Sequence, residues 1–419
     1  MATQSTDAVD SPSLLGDGWL AALCVSRTLI AFNFIVYAAC LPVLQREWGM
    51  NATAAGSVAS AFQLGYGTSL LVASWLADRV GARNVFRVSA VATAIAIVLF
   101  ALFARSYRSA VVLYALVAIA QGGTYTTAIM LVADRYERHR RGAAMGWFLG
   151  ASSLGYAIAL LLIGVALPFG GYPLAFALTA VATLAGCALA FAMLLRTPNM
   201  VHPKAAHAPF AAAVLRNRKA VLLVSGYTAH SWELLGMWAW TPAFLAAVLA
   251  MSGSAALTAA EFGAYLTAGL HLTGLLSSWS MGMLSDRLGR RTVLVAMAGI
   301  SAVCSLLFGW TVAWPIALVV ALGAVYSFTA IGDSSVLSTA TTEAVDPAHL
   351  GSTLAIRSML GFGAGAIAPL AFGAVLDATN VTDTAPTVWG WAFATLGIGG
   401  VIATACALAL RRDSPTRPG

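Results

Sequence analysis

The sequence predicts an all-α membrane protein with twelve transmembrane helices in two pseudo-symmetric six-helix bundles. Composition, the spacing of charges and an internal repeat carry that prediction. Of 419 residues, 60% are hydrophobic and 9% charged, with a mean hydropathy of +0.83. A soluble domain carries about 25% charged residues, so lipid must be the solvent for this much apolar surface. No Asp, Glu, Lys or Arg interrupts residues 109–133, 142–195, 292–332 or 384–410, and a spanning helix needs about 20 apolar residues. The alternating ten-residue segments of a membrane β-barrel are absent from the sequence.

In chain order the expected helices run roughly 18–44, 52–77, 84–104, 109–133, 142–167, 172–195, 220–249, 259–284, 292–311, 316–342, 351–377 and 387–410, with ends good to about 2–4 residues. The longest runs hold two spans each, broken at "LPFGGYP" (167–173) and "WTVAWP" (310–315). Residues 1–17 carry Asp7, Asp10 and Asp17 and no basic n-region, so a disordered cytoplasmic tail is expected and not a signal peptide. The first bundle covers 18–195, a polar basic linker 196–219, the second bundle 220–410, and a second cytoplasmic tail 411–419. The net charge of +7 does not indicate nucleic acid. With both termini inside, 18 of the 23 Lys and Arg fall in cytoplasmic loops and tails, which is the positive-inside distribution. The five cysteines lie in apolar spans without a CxxC pair, so packing is their expected role and no disulfide or metal framework is implied.

The two halves repeat. "SWLADRVGAR" at 74–83 returns as "GMLSDRLGRR" at 282–291, pairing Asp78 with Asp286, Arg79 with Arg287, Gly81 with Gly289 and Arg83 with Arg291. An offset of 209 also pairs Gly142 with Gly351, Gly164 with Gly373 and Asp134 with Glu343. Internal repeats are a device of secondary transporters, with the substrate site at the repeat interface. The pattern G-x-x-x-D-R-x-G-R-R between helices 2 and 3, and again between 8 and 9, resembles that of the major facilitator superfamily over essentially the whole chain. The first copy departs at Ser74 and Ala82.

Two readings of the charged loops follow. Basic loops fix topology, but that rule barely needs acids. The resemblance implies that the motif aspartate docks on the other half when the cytoplasmic side closes, here against the start of helix 11 at Asp346–Pro347. Asp134 and Glu343 are the matched acidic partners. Two conformational latches are expected: Asp78, Arg79, Arg83 and Asp134, and Asp286, Arg287, Arg290, Arg291 and Glu343.

A charge at a helix centre costs about 2.5–3.5 kcal/mol on insertion scales, and such residues are functional candidates by default. The candidates for substrate binding and proton coupling are Arg27, His230, Glu233, His271, Asp333 and Arg357, with Gln63 and Tyr125 adding neutral polarity. Arg27 lies roughly 13 Å into helix 1 and Glu233 roughly 20 Å into helix 7, and repeat alignment puts Arg27 opposite Leu235. Helices 1 and 7 face each other in the implied fold, so Arg27 and Glu233 are expected to pair. His230 and Glu233, three apart, share a helix face. Gln63 and His271 are repeat mates, and Asp333 is one residue off the mate of Tyr125. Each has a plainer reading too: a single histidine can hydrogen-bond a neighbouring helix, and Arg27 and Arg357 can snorkel. Trp238 and Trp240 suit an interfacial aromatic belt better than a substrate gate.

No HExxH, Walker or GxSxG motif is present, so neither an enzyme nor nucleotide-driven transport is indicated. His230, Glu233 and His271 form a conceivable zinc set, yet the same groups suit protons; no metal and no cofactor are expected. The expected function is secondary transport of a small anion, an organic acid foremost, across the bacterial inner membrane by alternating access with protons or by exchange. The partners are then the substrate, protons and the bilayer, and the chain is a monomer. The alternative is a proton-coupled drug or metabolite exporter, although helix 5 lacks the glycine–proline motif of drug antiporters and Ala118 stands where they place an arginine. A non-transporting sensor of the same fold is the third reading.

Overall fold

Asn51 starts the helix that matters most to the packing of the two halves. The computed structural model describes residues 17–201, 216–345, 347–380 and 388–411, with the backbone alone at 138, 139, 142, 275 and 347–352. Among them α1 runs Gly18–Glu47 with a one-residue interruption at Ala31, followed by α2 Ala52–Val80, α3 Ala82–Phe103 and α4 Tyr107–Arg135. Helices α5 and α6 share Arg138–Leu195 and are parted at Gly170–Gly171, whose backbone leaves helical geometry between Pro168 and Pro173. Then come α7 Arg218–Met251, α8 Ala256–Leu288, α9 Arg290–Phe308, α10 Ile316–Ala344, α11 Pro347–Thr379 and α12 Gly390–Ala409. The expected linker lies mostly outside the described residues.

All but α2 and α8 fall within segments long and apolar enough to cross a membrane by length and composition. Those two are repeat mates, and both face the other half: α2 packs on α11 and α8 on α5, while α1 meets α7. Small and polar residues replace apolar ones where helices pack closely on protein instead of lipid. The repeat is visible in the backbone as well. Gly81 (φ 86°, ψ 144°) and Gly289 (φ 85°, ψ 144°) make the same turn after α2 and after α8, in a region other residues rarely enter.

The last motif arginine closes each half on itself. Arg83 donates to the Thr197 carbonyl past α6 (3.0 Å), and Arg291 to the Leu408 and Leu410 carbonyls at the end of α12 (3.1 and 2.8 Å). A cation there satisfies orphan carbonyls at the negative end of a helix. At the N-terminus, burial opposes charge on Asp17. The Tyr136 hydroxyl (2.6 Å), Arg135 and the Trp19 and Leu20 amides outweigh it and hold the carboxyl below its usual range.

The strongest polar link between halves lies on the side away from the termini. Asp377, near the end of α11, accepts hydrogen bonds from the Ala52 and Thr53 amides (2.8 Å each) and from the Thr53 hydroxyl (2.6 Å). The Asn51 side chain caps Ala54 (2.8 Å) and its carbonyl takes Ala55. Three of the four N–H groups that a helix start leaves open are thus satisfied, two of them by the other half. Around this cap α2 and α11 touch backbone to backbone. Asp377→Ala is expected to shift the protein about tenfold toward states open on this distal side, from the worth of hydrogen bonds to a charged group. Reaction of a cysteine placed at Ala59 with an impermeant thiol reagent measures it.

Candidate functional site

Between the halves, each bundle contributes a buried arginine with no carboxylate within 4 Å among the described residues. Arg27 on α1 is 5% exposed. Its Nε donates to Ser152 Oγ on α5 (2.6 Å), its guanidinium carbon lies 4.9 Å from the Tyr125 ring centre and 5.6 Å from that of Phe148, and Nη1 has no partner. Tyr66 and Tyr156 lie within its electrostatic reach. Arg357 on α11 is 7% exposed. It stacks 3.7 Å over Tyr227, donates through Nη2 to Ser338 Oγ (2.9 Å) and leaves Nε unpartnered. Neither arginine snorkels. Tyr125 on α4 lies within electrostatic reach of both arginines and of Tyr227.

The expected Arg27–Glu233 pair does not form. Glu233 turns into its own bundle, where Ser301 donates to Oε1 (2.9 Å), Tyr326 and Ser305 stand nearby, and Gly400 on α12 leaves room for the carboxylate. His230 points elsewhere: Nδ1 is 2.9 Å from Asp333 Oδ1 and Nε2 2.8 Å from Ser334 Oγ on α10. Three residues turn a helix by about 300°, and the missing 60° sends these two side chains to different neighbours. Asp333 remains within electrostatic reach of Glu233 and Arg357.

The repeat mates Gln63 and His271 both lie near the Tyr156–Trp238 pair. The Tyr156 and Trp238 rings are 5.3 Å apart, His271 is 5.7 and 5.4 Å from them, and Gln63 lines the same cavity. Phe34, Phe62 and Tyr114 are among the other walls of that cavity. His271 therefore stands apart from His230, and no group of three metal-binding side chains forms among the described residues. The belt reading of Trp238 and Trp240 is overturned. Trp240 is fully buried, donating to the Pro369 carbonyl (3.0 Å) and stacked on Phe372, while Trp238 faces the other half. Exposed Trp310, Trp314 and Trp391 stand at helix ends instead.

In the loops, Arg290 bridges Asp286 (2.6 Å) and Glu343 (2.9 Å) within the second half. In the first half Arg83 bonds Asn84 and the Thr197 carbonyl instead of an acid. Asp78 and Arg79 are exposed, Arg79 lying over Trp75 (3.6 Å), as are Asp286 and Arg287. Asp346, the expected docking point, is outside the described residues. Sequence reasoning missed Ser152, Tyr227, Ser338 and Asp377. Neutral hydroxyls carry no signal in an apolar span, and Asp377 sits too near a helix end to stand out.

The sequence model of the Major Facilitator Superfamily matches residues 23–280 and 237–419, together nearly the whole chain. Among curated proteins, "Probable sulfoacetate transporter SauU" of Cupriavidus necator is 28% identical over 33% of this chain and 32% of its own length. "Probable anion transporter 5" of Arabidopsis thaliana is 28% identical over 40% of this chain and 39% of its own. The matched segments thus span about a third of those relatives. Solved structures match along the chain: the nucleoside transporter NupG (TM-score 0.73, 14% identity, 93% of this chain and 99% of that one) and the peptide-transporter-family protein PepTSo (0.75, 14%, 93% and 97%). At such identities these establish the fold.

Proposed function

Because this chain belongs to the Major Facilitator Superfamily, a transporter family, we propose that it moves a small anion, an organic acid foremost, by alternating access across the bacterial inner membrane. One observation carries the reading: two buried guanidinium groups, one on each half, have donors left over and no carboxylate in contact among the described residues. A buried charge without a partner is costly, and an anionic cargo supplies the partner. The names of the partial relatives point the same way. With both termini in the cytoplasm, the contact at Asp377 closes the side of the protein away from the cytoplasm.

Proton coupling follows from the neighbours of Arg357. Asp333 and an incoming anion compete for this cation. Protonating the His230–Asp333 pair, with Glu233 alongside, releases Arg357 for the cargo, so that one proton travels with one anion. A chain that exchanges anions without protons uses the same arginines. The two loop clusters at Asp78 and Asp286 serve as latches in the opposite, cytoplasm-closed state.

The test is uptake into proteoliposomes over an anion panel led by sulfoacetate, with and without a pH gradient. Uptake of an anion accelerated by an inward proton gradient is expected for the wild type. Asp333→Asn should keep anion exchange while losing the acceleration. The aromatic walls around Tyr156 and Trp238 favour a second reading, export of apolar compounds. Preferential transport of neutral aromatic solutes, unaffected by competing anions, would replace the first reading with that one.

A further inference from the structure

We propose that the cavity lined by Gln63 and Trp238 is a neutral subsite that takes an uncharged hydroxyl of the cargo; this rests on the anion reading above. Two buried polar atoms line that cavity without a partner: Gln63 Oε1, an acceptor, and Trp238 Nε1, a donor. Gln63 stands on α2 of the first half and is 8% exposed; Trp238 stands on α7 of the second half. Two other polar residues of the lining are engaged elsewhere. Tyr37 donates to the Ala55 carbonyl (3.0 Å) and Tyr114 to the Asn33 carbonyl (2.7 Å). A buried donor or acceptor left unpaired is costly, so Gln63 and Trp238 call for an occupant.

The lining selects the kind of occupant. Among the described residues, none of those around the cavity carries a charge. An ionised group placed here would be desolvated without a counter-charge. A carboxylate only accepts and would leave Gln63 Oε1 unpaired; an ammonium only donates and would leave Trp238 Nε1 unpaired. A hydroxyl donates and accepts, so it serves either atom.

The subsite lies beside the anion site. Tyr66 follows Gln63 by three residues on α2 and shares its face, and the Tyr66 hydroxyl contacts Arg27. Phe34, in the cavity wall, packs edge-on against Tyr66 with ring centres 4.6 Å apart, and lies 5.9 Å from Tyr156. Along α1, Phe34 is two turns beyond Arg27, roughly 10 Å. A cargo whose hydroxyl is several bonds from its acid group reaches both places. One that carries the hydroxyl on the neighbouring carbon does not.

Calorimetric titration of the purified full chain with matched acids tests this: acetate against glycolate, and each linear acid from propionate to hexanoate against its terminally hydroxylated form. At least one of the longer hydroxy acids is expected to bind about 10-fold tighter than its parent, from the worth of two hydrogen bonds. Glycolate should gain nothing over acetate. Gln63→Leu should bring the ratio of hydroxy acid to parent close to one, and so should Trp238→Phe, which keeps a ring and removes the donor. Should one variant not fold, the other and the wild-type series decide. A gain that is largest for glycolate, or that survives both substitutions, places the hydroxyl elsewhere and overturns the subsite. Equal binding within every pair overturns it too, water then filling the cavity, and leaves the anion reading standing. Failure of every acid to bind overturns the anion reading itself.

Discussion

Arg27→Ala is expected to lower anion uptake about 100-fold or more while the protein still inserts and elutes as a single species. Arg27 is the first half's buried cation at this site, and two hydrogen bonds to a charged group together account for a factor of that order. Folding should tolerate the change. Removing a mid-span arginine relieves an insertion cost of about 2.5–3.5 kcal/mol, and its contacts with the Ser152 and Tyr66 hydroxyls are lost without stranding a carboxylate. Arg27→Lys separates charge from geometry. An ammonium keeps the field but not the planar fork, and it has to forgo either Ser152 or the cargo, so partial uptake with weaker affinity is the expected result. The measurement is the initial rate of uptake into proteoliposomes at matched protein density. Wild-type rates in Arg27→Ala would remove this arginine from the site.

The charges inside the spans were legible because each is costly in lipid, and a costly residue is conspicuous in the sequence. Arg27, His230, Glu233, Asp333 and Arg357 are all buried between helices, as their types and positions predicted. The repeat gave an expected depth for each. What it did not give was azimuth. Glu233 and Arg27 were expected to meet on facing helices, yet Glu233 looks into α9 and α12, where Ser301 and Gly400 receive it. Nothing in the spacing of His230 and Glu233 says which of the two faces α10. Trp240 failed for a related reason: its place near a helix end suits a belt, and only packing against Phe372 and Trp389 shows it to be core. Both loop motifs were legible, but their arginines divide the work differently. Arg290 takes the acids and Arg291 the carbonyls; with Ala82 in place of the first arginine, Arg83 takes the carbonyl alone.

Gly56→Val is expected to reduce transport at least tenfold by a route that touches no cargo. A Cβ at Gly56 would lie 2.2 Å from the Pro369 carbonyl oxygen and 2.8 Å from its carbon. Both atoms are backbone, and both belong to the other half, so no rotamer change relieves the clash. The alternative is to keep α2 and α11 apart on the distal side. Overpacking costs about 1–3 kcal/mol, which shifts the populations by roughly 5- to 150-fold, and a branched side chain falls at the upper end. The same wedge would strip Asp377 from the Ala52 and Thr53 amides, adding to the bias. A cysteine at Ala59, which lines the central cavity, should then react with an impermeant reagent from the distal side in Gly56→Val and resist it in the parent. Gly146→Ala is the control, since a Cβ there meets nothing within 4 Å, and its transport should be unchanged. The contrast separates a seam that must close from a helix that merely tolerates a methyl group. If Gly56→Val transports normally, the backbone contact between α2 and α11 is not made during the cycle, and the distal closure must rest on other elements.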